Sequence, residues 1–347
     1  MQDIGIGIIG SGFMGLTYSE AVTSQVTGAK LVGVTGGRRA VQLAAEYGVA
    51  AADSVESLVN RRDVDAVVVA TPDQHRVAIT ELAAAAGKHV LVEKPMAPTI
   101  AECDRMMAVC DAAGVNLGVV QTERFRRLTR RAKELVDQGE IGPLRMMRTV
   151  SAFPINLTRE LFAERKWMED PASGGLFMGM ASHNTDFLRW ISGLNAIKVF
   201  AQVNTFSDIA APAQSVMAQI VFENGVMAHM WISSEFPPPS LPSSEVRFQI
   251  IGADGMLDFE NFDFLDMGKG DTWERVFTPQ KFDYLKEPKS PIRLEPHAGV
   301  LQSFVDSLRE GRPPTVGGPE GRAAVEICEA CLISARTGQA VDLPLRS

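Results

Sequence analysis

The stretch Ile4-Gly-Ile-Gly-Ile-Ile-Gly10-Ser-Gly-Phe-Met-Gly15 decides the fold of the first part of this chain. It predicts an apolar strand, a loop with the spacing Gly-x-Gly-x-x-Gly, and a helix that opens directly after the loop. In that context Gly10 permits the tight turn, Gly12 lets a phosphate approach the backbone, and Gly15 lets the helix pack close to the strand. Because a helix N-terminus attracts anions, the stretch predicts a dinucleotide site; a glycine-rich turn without a ligand is the alternative. The residues predicted to hold the dinucleotide here are Gly10, Gly12, Phe13, Met14 and Gly15.

Apolar strands and helices alternate from this loop as far as about residue 120. The runs Asp65–Ala70 and His89–Val92 are continuous strands, and the helical patterns that follow them end at Gly87 and Gly114. Strands that are apolar at nearly every position are buried on both faces, so the alternation predicts a parallel sheet with helices on each side. The fold class is therefore α/β, with a doubly wound Rossmann domain at the N-terminus.

The pattern changes from about Gln121. A basic helix, Phe125–Gln138, comes first, and Phe222-Glu-Asn-Gly-Val226 is a hairpin signal because Asn-Gly tolerates the positive φ of a type I′ turn. Strands linked by hairpins predict a second α/β domain with a largely antiparallel sheet. We therefore divide the chain into a dinucleotide-binding domain, residues 1–122, and a second domain, residues 123–347. The strands predicted in the second domain are Leu144–Ser151, Ile197–Phe206, Gln214–Phe222, Gly225–Ser234, Val246–Ile251 and Met256–Phe259.

Composition excludes several classes of function. The chain of 347 residues has a net charge of −8, which gives no general reason to bind nucleic acid or an anionic membrane surface. Its apolar runs are too short to span a bilayer and its start lacks the basic region of a secretory signal, so we expect a cytoplasmic protein. The 4 cysteines have the spacing of neither a disulfide framework nor a zinc site; we expect them to be buried and reduced, and we expect no metal.

Further motifs make the pattern specific. Thr71-Pro-Asp-Gln-His75 and Glu93-Lys-Pro95 each follow a predicted strand, and Ser173-Gly-Gly175 precedes His183-Asn-Thr-Asp186. In this order, and over nearly the whole chain, they resemble the Gfo/Idh/MocA family, the relatives of glucose–fructose oxidoreductase and inositol dehydrogenase. The resemblance implies an NAD(P)-dependent dehydrogenase or reductase that acts on a secondary alcohol of a sugar, cyclitol or related polyhydroxylated compound. It also implies that the second domain binds this small molecule and, through an open sheet, forms a homodimer or homotetramer.

The resemblance assigns site residues by position. Lys94 would contact the substrate hydroxyl and the nicotinamide ribose, and His183 would be the second catalytic group. Chemistry supports Lys94, because hydride removal requires the hydroxyl to lose a proton and ligands bind at the carboxyl ends of parallel strands. Trp167 would wall the substrate pocket or be a core aromatic. The other positions implied are Thr71, Pro72, His75 and Glu93 on the cofactor side and Arg124 on the substrate side.

One position departs from the family pattern. The family usually carries an aspartate four residues before the histidine, and Gly179 stands there in this chain. Asp186 lies one helical turn beyond His183, within reach of it if the segment is helical. Two interpretations stay open: Asp186 orients the imidazole as a further catalytic residue, or it belongs to the polar network of its own helix.

The turn after the second strand predicts the form of the cofactor. In dinucleotide folds an Asp or Glu about 20 residues past the glycine loop accepts hydrogen bonds from the ribose 2′-hydroxyl, but Thr35-Gly-Gly-Arg-Arg39 contains no acid. A hydroxyl, open amides and a guanidinium would hold a 2′-phosphate instead. We therefore expect NADP(H) in preference to NAD(H); the alternative is that both arginines are solvated. The residues expected at the 2′-phosphate are Thr35, Gly36, Arg38 and Arg39.

Two other functions stay open from the sequence. A redox-neutral enzyme would retain its cofactor and use oxidation followed by reduction to drive epimerisation, elimination or glycoside cleavage. The second alternative is a non-enzymatic regulatory protein that binds NAD(P). The presence of Gly179 in place of the family's aspartate makes this alternative less remote.

Overall fold

The computed structural model describes residues 2–170, 172–209, 213–283 and 286–345. The chain divides into two compact units, Met1–Phe125 with Phe282–Arg322, and Arg126–Lys281 with Ala323–Ser347. The first change of unit lies close to the predicted division after residue 122, but the late segment Phe282–Arg322 belongs to the first unit. The predicted second domain is therefore interrupted. Sequence did not reveal this, because the apolar pattern of a helix shows which face is buried and not what covers it.

The secondary structure follows the alternation expected from the sequence. The strands are β1 Ile4–Ile9, β2 Ala29–Thr35, β3 Ala50–Ala51, β4 Ala66–Val69, β5 His89–Val92, β6 Leu117–Val119, β7 Leu144–Pro154, β8 Ala196–Asn204, β9 Ser215–Phe222, β10 Met227–Phe236, β11 Arg247–Gly252, β12 Gly255–Glu260, β13 Phe264–Lys269, β14 Thr272–Phe277 and β15 Val341–Asp342. The helices are α1 Phe13–Ser24, α2 Ala40–Glu46, α3 Val55–Val59, α4 Arg76–Ala85, α5 Ile100–Ala113, α6 Arg127–Asp137, α7 Ile155–Glu164, α8 Gly175–Ser192, α9 Pro291–Glu310 and α10 Gly318–Thr337.

The first unit contains a parallel sheet with the strand order β3-β2-β1-β4-β5-β6. This confirms the predicted doubly wound sheet. Ile6 and Ile8 of β1 share one buried core cluster with Tyr18 of α1 and with Leu301 and Phe304 of α9. Burial of α9 in this cluster is the physical reason that the late segment belongs to the first unit.

The second unit contains a mixed sheet with the order β14-β13-β12-β11-β7-β10-β9-β8-β15. Its neighbouring strands are antiparallel except for the parallel pair β7 and β10. Asn224 and Gly225 have φ values of 61° and 78° between β9 and β10, which confirms the predicted hairpin. One face of the sheet carries α8, whose Phe187 packs 4.1 Å, centroid to centroid, from Phe248 of β11.

Two strands at one edge of this sheet, β13 and β14, were not predicted. Charged and apolar residues alternate along these strands only in part. The first residues of β14, Thr272–Arg275, are exposed on both faces of the strand. An edge strand of this kind has no buried face to impose a period of two, so its sequence resembles a loop.

Candidate active site

The glycine loop joins β1 to α1 and has the geometry of a phosphate cradle. Gly10 has a φ of 115°, and a Cβ there would lie 2.5 Å from the Ala70 carbonyl oxygen. A Cβ on Gly15 would lie 1.9 Å from the Gly10 carbonyl oxygen, so the helix can approach the strand only with glycine at that position. In contrast, a Cβ on Gly12 would meet no described atom within 4 Å. Open space thus lies beside the N-terminus of α1, where backbone amides and the helix dipole attract an anion. The loop fits the pyrophosphate of a dinucleotide.

The second turn of the sheet, after β2, rests against the glycine loop. The Arg39 amide donates to Ser11 Oγ at 3.1 Å, and a Cβ on Gly37 would lie 2.7 Å from that oxygen. Gly36 and Gly37 both have positive φ, near 79°. Thr35 is buried and its hydroxyl donates to the Ala52 carbonyl at 2.8 Å, so its remaining capacity is as an acceptor.

Arg38 and Arg39 are both exposed and directly precede α2. Their guanidinium groups stand at the surface beside the turn that faces the glycine loop. This is compatible with a 2′-phosphate and also with two solvated side chains, so the preference for NADP(H) stays a prediction.

The turn after β4 was predicted to face the cofactor. Thr71 and Pro72 are half-buried, whereas His75 is exposed and lies in a 3₁₀ turn, Asp73–His75, that delays the start of α4. A 3₁₀ turn of this kind is frequent at the N-terminus of an α-helix.

The turn after β5 carries Lys94, which is half-buried. Glu93, before it, is buried, and both of its carboxylate oxygens accept hydrogen bonds from the protein: Oε1 from the Tyr18 hydroxyl and Oε2 from the Lys94 amide at 2.9 Å. Glu93 therefore shapes the lysine turn, and its predicted contact with the cofactor stays a prediction. Lys94 itself lies at the carboxyl end of a parallel strand, where α/β sheets bind their ligands.

Two further residues complete this edge of the sheet. Arg124 is half-buried in the 3₁₀ turn Thr122–Arg124, which follows β6. Arg76, at the start of α4, was not singled out from the sequence, although it is buried and its guanidinium bonds to the turns after both β4 and β5. From the sequence, an arginine that follows a histidine at the start of a helix is expected to be solvated. The buried position of Arg76 is therefore visible only in the three-dimensional fold.

The second unit holds the other candidate catalytic residues on α8. His183 is half-buried, and Asp186, one turn later, is fully buried. Asn184 fixes the helix to the sheet, because its Nδ2 donates to Thr149 Oγ1 at 2.8 Å and to Ser151 Oγ at 3.1 Å, both on β7. A Cβ on Gly179, where the resemblance to the family implies an acid, would meet no described atom within 4 Å. The helix therefore has room for a side chain there.

Trp167 lies in the 3₁₀ turn Lys166–Glu169 of the same unit and is half-buried. It packs against a small cluster formed by Met168 and Leu176, together with Met180 of α8. Its ring is therefore part of a local apolar cluster, and a role as a wall of the substrate pocket stays a prediction.

The cysteines are free and buried, as expected: Cys103, Cys110, Cys328 and Cys331. Burial raises the pKa of both Cys110 and Cys328 to about 12, so neither is a thiolate at neutral pH. Among the described residues no group of His, Cys, Asp and Glu has the arrangement of a metal site. No helix in the described ranges is long and apolar enough to cross a membrane.

Comparison with known proteins agrees with both halves of this description. Residues 4–121 match the oxidoreductase family with an NAD-binding Rossmann fold, and residues 129–258 match the GFO/IDH/MocA C-terminal domain. The chain is 26% identical to myo-inositol 2-dehydrogenase of Thermotoga maritima, over 97% of this chain and 98% of that protein. It is 35% identical to 1-carboxy-3-chloro-3,4-dihydroxycyclohexa-1,5-diene dehydrogenase of Comamonas testosteroni, where the match spans 52% of this chain and 44% of that protein. Among solved structures, the WlbA dehydrogenase of Bordetella pertussis, in complex with NADH and UDP-GlcNAcA, has a TM-score of 0.82 and 26% identity, covering 99% of this chain and all of that one.

Proposed function

This chain belongs to the Gfo/Idh/MocA oxidoreductase family, and from that premise we propose that it transfers a hydride between a nicotinamide cofactor and a polyhydroxylated small molecule. The reacting group is a secondary alcohol, or the corresponding ketone, of a sugar, cyclitol or related compound. Myo-inositol 2-dehydrogenase of Thermotoga maritima, which is similar over almost its whole length, supports this substrate class.

The proposal is supported mainly by what lies along one edge of the parallel sheet in the first unit. The cradle beside Gly12 lies after β1, and Lys94 lies after β5, so a dinucleotide site and a titratable amine share the carboxyl edge of one sheet. When bound, the nicotinamide ring supplies the acceptor or donor of the hydride. The protein supplies the proton transfer and the positions of the reacting groups.

Lys94 takes the proton of the substrate hydroxyl in the oxidation direction and returns it in the reduction direction. A neutral amine accepts the proton, and the resulting ammonium stabilises the developing negative charge on oxygen. Arg124 contributes positive charge on the substrate side, and Trp167 presents an aromatic face to the apolar side of a sugar or cyclitol ring.

His183 is the second catalytic group, and Asp186 orients it. The full burial of Asp186 one helical turn from His183 favours this role, since a buried carboxylate requires a partner and an imidazole one turn away can provide it. Gly179 leaves the other flank of the histidine open, so this chain performs its proton transfer without a carboxylate at that position.

The cofactor is NADP(H) in preference to NAD(H). Thr35, Gly36, Arg38 and Arg39 form the pocket for the 2′-phosphate, because this turn contains no carboxylate that would repel the phosphate and presents two exposed guanidinium groups. Arg38 is the principal ligand and Arg39 the reserve.

The outer face of the second unit's sheet joins two copies of this chain into a dimer, or two dimers into a tetramer. Paired residues of adjacent strands place an apolar row across this face: Met227, Met146, Ile251 and Met256, followed by Gly268 with Trp273 beside it. Met227 and Trp273 are 53% and 57% exposed. A continuous apolar row of this kind is typical of a surface that another protein covers.

The buried free cysteines suit a reducing compartment, and we place the enzyme in the cytoplasm, with no nucleic-acid or membrane partner.

The test is a substrate screen with the purified protein. NADP⁺ and NAD⁺ are each mixed with a panel of inositols, hexoses, sugar acids and anhydrosugars, and the absorbance of reduced nicotinamide is followed. Reduction with at least one polyol supports the proposal. No reduction of NADP⁺ or NAD⁺ by any compound of the panel, together with no binding of NADPH or NADH in a fluorescence titration, would refute it.

A further inference from the structure

Arg76 joins the two turns that carry the candidate residues of the first unit. It is the first residue of α4 and is 5% exposed. Its Nε and Nη2 donate to the Thr71 carbonyl at 3.1 Å and 2.8 Å, in the turn after β4. Its Nη1 donates to the Glu93 carbonyl at 2.7 Å and to the Pro95 carbonyl, in the turn after β5. One buried guanidinium therefore spans two neighbouring strand ends.

These bonds hold the backbone of Lys94 on both sides. The carbonyl before it, of Glu93, and the carbonyl after it, of Pro95, both accept from Arg76. The amide of Lys94 donates to the Glu93 carboxylate at 2.9 Å. Hydrogen bonds from a charged donor or to a charged acceptor are shorter and stronger than neutral ones. The lysine backbone cannot shift without breaking several of them.

Buried groups of opposite charge face one another around this turn. Burial lowers the pKa of Arg76, and the negative charges of Glu93 and Asp73 oppose that effect. Both carboxyl groups are themselves buried, and the Tyr18 hydroxyl donates to Glu93. Arg76 is therefore a cation that partly offsets two buried carboxylates in the turns after β4 and β5.

We propose that Arg76 is a positioning residue for Lys94: it holds the lysine turn at a fixed distance from the Thr71 turn and offsets the charge of Glu93. The inference rests on the proposed function, in which Lys94 exchanges a proton with substrate. A purely structural arginine would hold the fold together without influencing the reactivity of the Lys94 amine. Variants of Arg76 therefore distinguish the two roles by whether the reactivity of that amine changes.

The experiment compares Arg76→Met, which removes the cation, with Arg76→Lys, which keeps the charge but cannot span both turns. Arg105→Met is the matched control, since Arg105 is an exposed arginine of the same unit that pairs with Glu81 on α4. Three quantities are measured for each variant: kcat and KM for the polyol that gives turnover, the dissociation constant of NADPH, and the pKa of Lys94. The last is obtained by trace acetylation across pH, with the modified peptide quantified by mass spectrometry, and needs no substrate.

We expect kcat to fall about 100-fold in both Arg76 variants, the loss typical of a misplaced reacting group, with KM and NADPH affinity little changed. In Arg76→Met the pKa of Lys94 rises, because a nearby positive charge is lost and the carboxylates of Glu93 and Asp73 are left uncompensated. In Arg76→Lys that pKa stays near the parent value. Arg105→Met behaves as the parent in every measurement.

A parent-like Lys94 titration in Arg76→Met, with kcat reduced only as far as the unfolded fraction explains, would overturn the proposal. If Arg76→Met does not fold, Arg76→Lys decides alone: reduced kcat at unchanged NADPH affinity supports the proposal, and parent-like kcat overturns it. Failure of the proposed function is a separate result, namely undiminished turnover by Lys94→Ala.

Discussion

Gly179 lies one helical turn before His183 on α8, and a Cβ built on it meets no described atom within 4 Å. A side chain added there would lie on the face of the helix that carries the histidine, because residues four apart are neighbours on a helix surface. The absence of an acid at this position is therefore a property of the sequence and is not imposed by packing.

Gly179→Asp is expected to raise turnover. The added carboxylate stabilises the imidazolium form of His183 one turn away, and general acid–base assistance is worth about 10²–10⁴-fold in rate when complete. Because the site is open, the variant should fold as the parent does, with the small gain in helix stability expected when glycine is replaced. The assay is kcat/KM with the best polyol, and Gly179→Asn is the control for shape without charge. Lower turnover in Gly179→Asp than in Gly179→Asn would show that the site is built without this acid.

Asp186→Asn should reproduce part of the loss caused by His183→Ala. The substitution keeps the shape of the buried side chain but removes its charge, so the imidazole loses orientation and the stabilisation of its charged form. Steady-state kinetics of the two single variants and the double variant measure this, since residues that act as a unit are not additive. Full activity in Asp186→Asn would make Asp186 a structural member of α8.

Gly12→Ala and Gly15→Ala should separate ligand binding from folding. The methyl group of Gly12→Ala projects into open space, so the free energy of unfolding should be close to that of the parent while NADPH affinity falls. In Gly15→Ala the methyl group meets the Gly10 carbonyl, and overpacking of this kind costs about 1–3 kcal/mol. Urea unfolding and fluorescence titration with NADPH check the pair. Undiminished NADPH affinity in Gly12→Ala would place the dinucleotide elsewhere.

The first unit shows how much of the fold could be predicted from the sequence. Strands such as Ala66–Val69, buried at every position, and the glycine loop have local signals that do not depend on the rest of the chain. The return of α9 to this unit depends on the burial of Leu301 and Phe304 in one core cluster with strands from much earlier in the chain, such as β1, and no local pattern encodes it. Strands β13 and β14, at one end of the second sheet, were missed for the opposite reason, because the exposed residues Thr272–Arg275 of the edge strand β14 have no buried face.

The candidate site divides in the same way. Lys94 and His183 could be predicted as site residues because they stand in motifs whose order along the chain is specific. Arg76 was missed because its proposed role depends on hydrogen bonds to three backbone carbonyl groups in two turns. Every residue has a backbone carbonyl, so such bonds cannot be recognised from the sequence. Glu93 was predicted by position to lie on the cofactor side, and its contacts with Tyr18 and with the Lys94 amide are visible only in the fold.

Arg38→Ala should reduce the preference for NADPH over NADH about tenfold or more, because a hydrogen bond to a charged group is worth about 1.5–3 kcal/mol. NADH affinity should change little, since NADH lacks the 2′-phosphate. Dissociation constants for both cofactors are measured on the parent, Arg38→Ala and Arg39→Ala, with the exposed Arg62→Ala as the control. Tighter binding of NADH than of NADPH by the parent would contradict the assignment, as would unchanged selectivity in both Arg38→Ala and Arg39→Ala.

The role of Lys94 as the group that exchanges the proton is tested by the turnover of Lys94→Ala relative to the parent, measured together with NADPH affinity. We expect kcat to fall about 10²–10⁴-fold, the usual value of general acid–base assistance, while the dissociation constant of NADPH stays near that of the parent. Lys30→Ala, which removes an exposed lysine of the same unit, should leave both quantities unchanged. Turnover by Lys94→Ala within about threefold of the parent, well below the loss that general acid–base assistance implies, would contradict the assignment of Lys94 as the group that exchanges the proton.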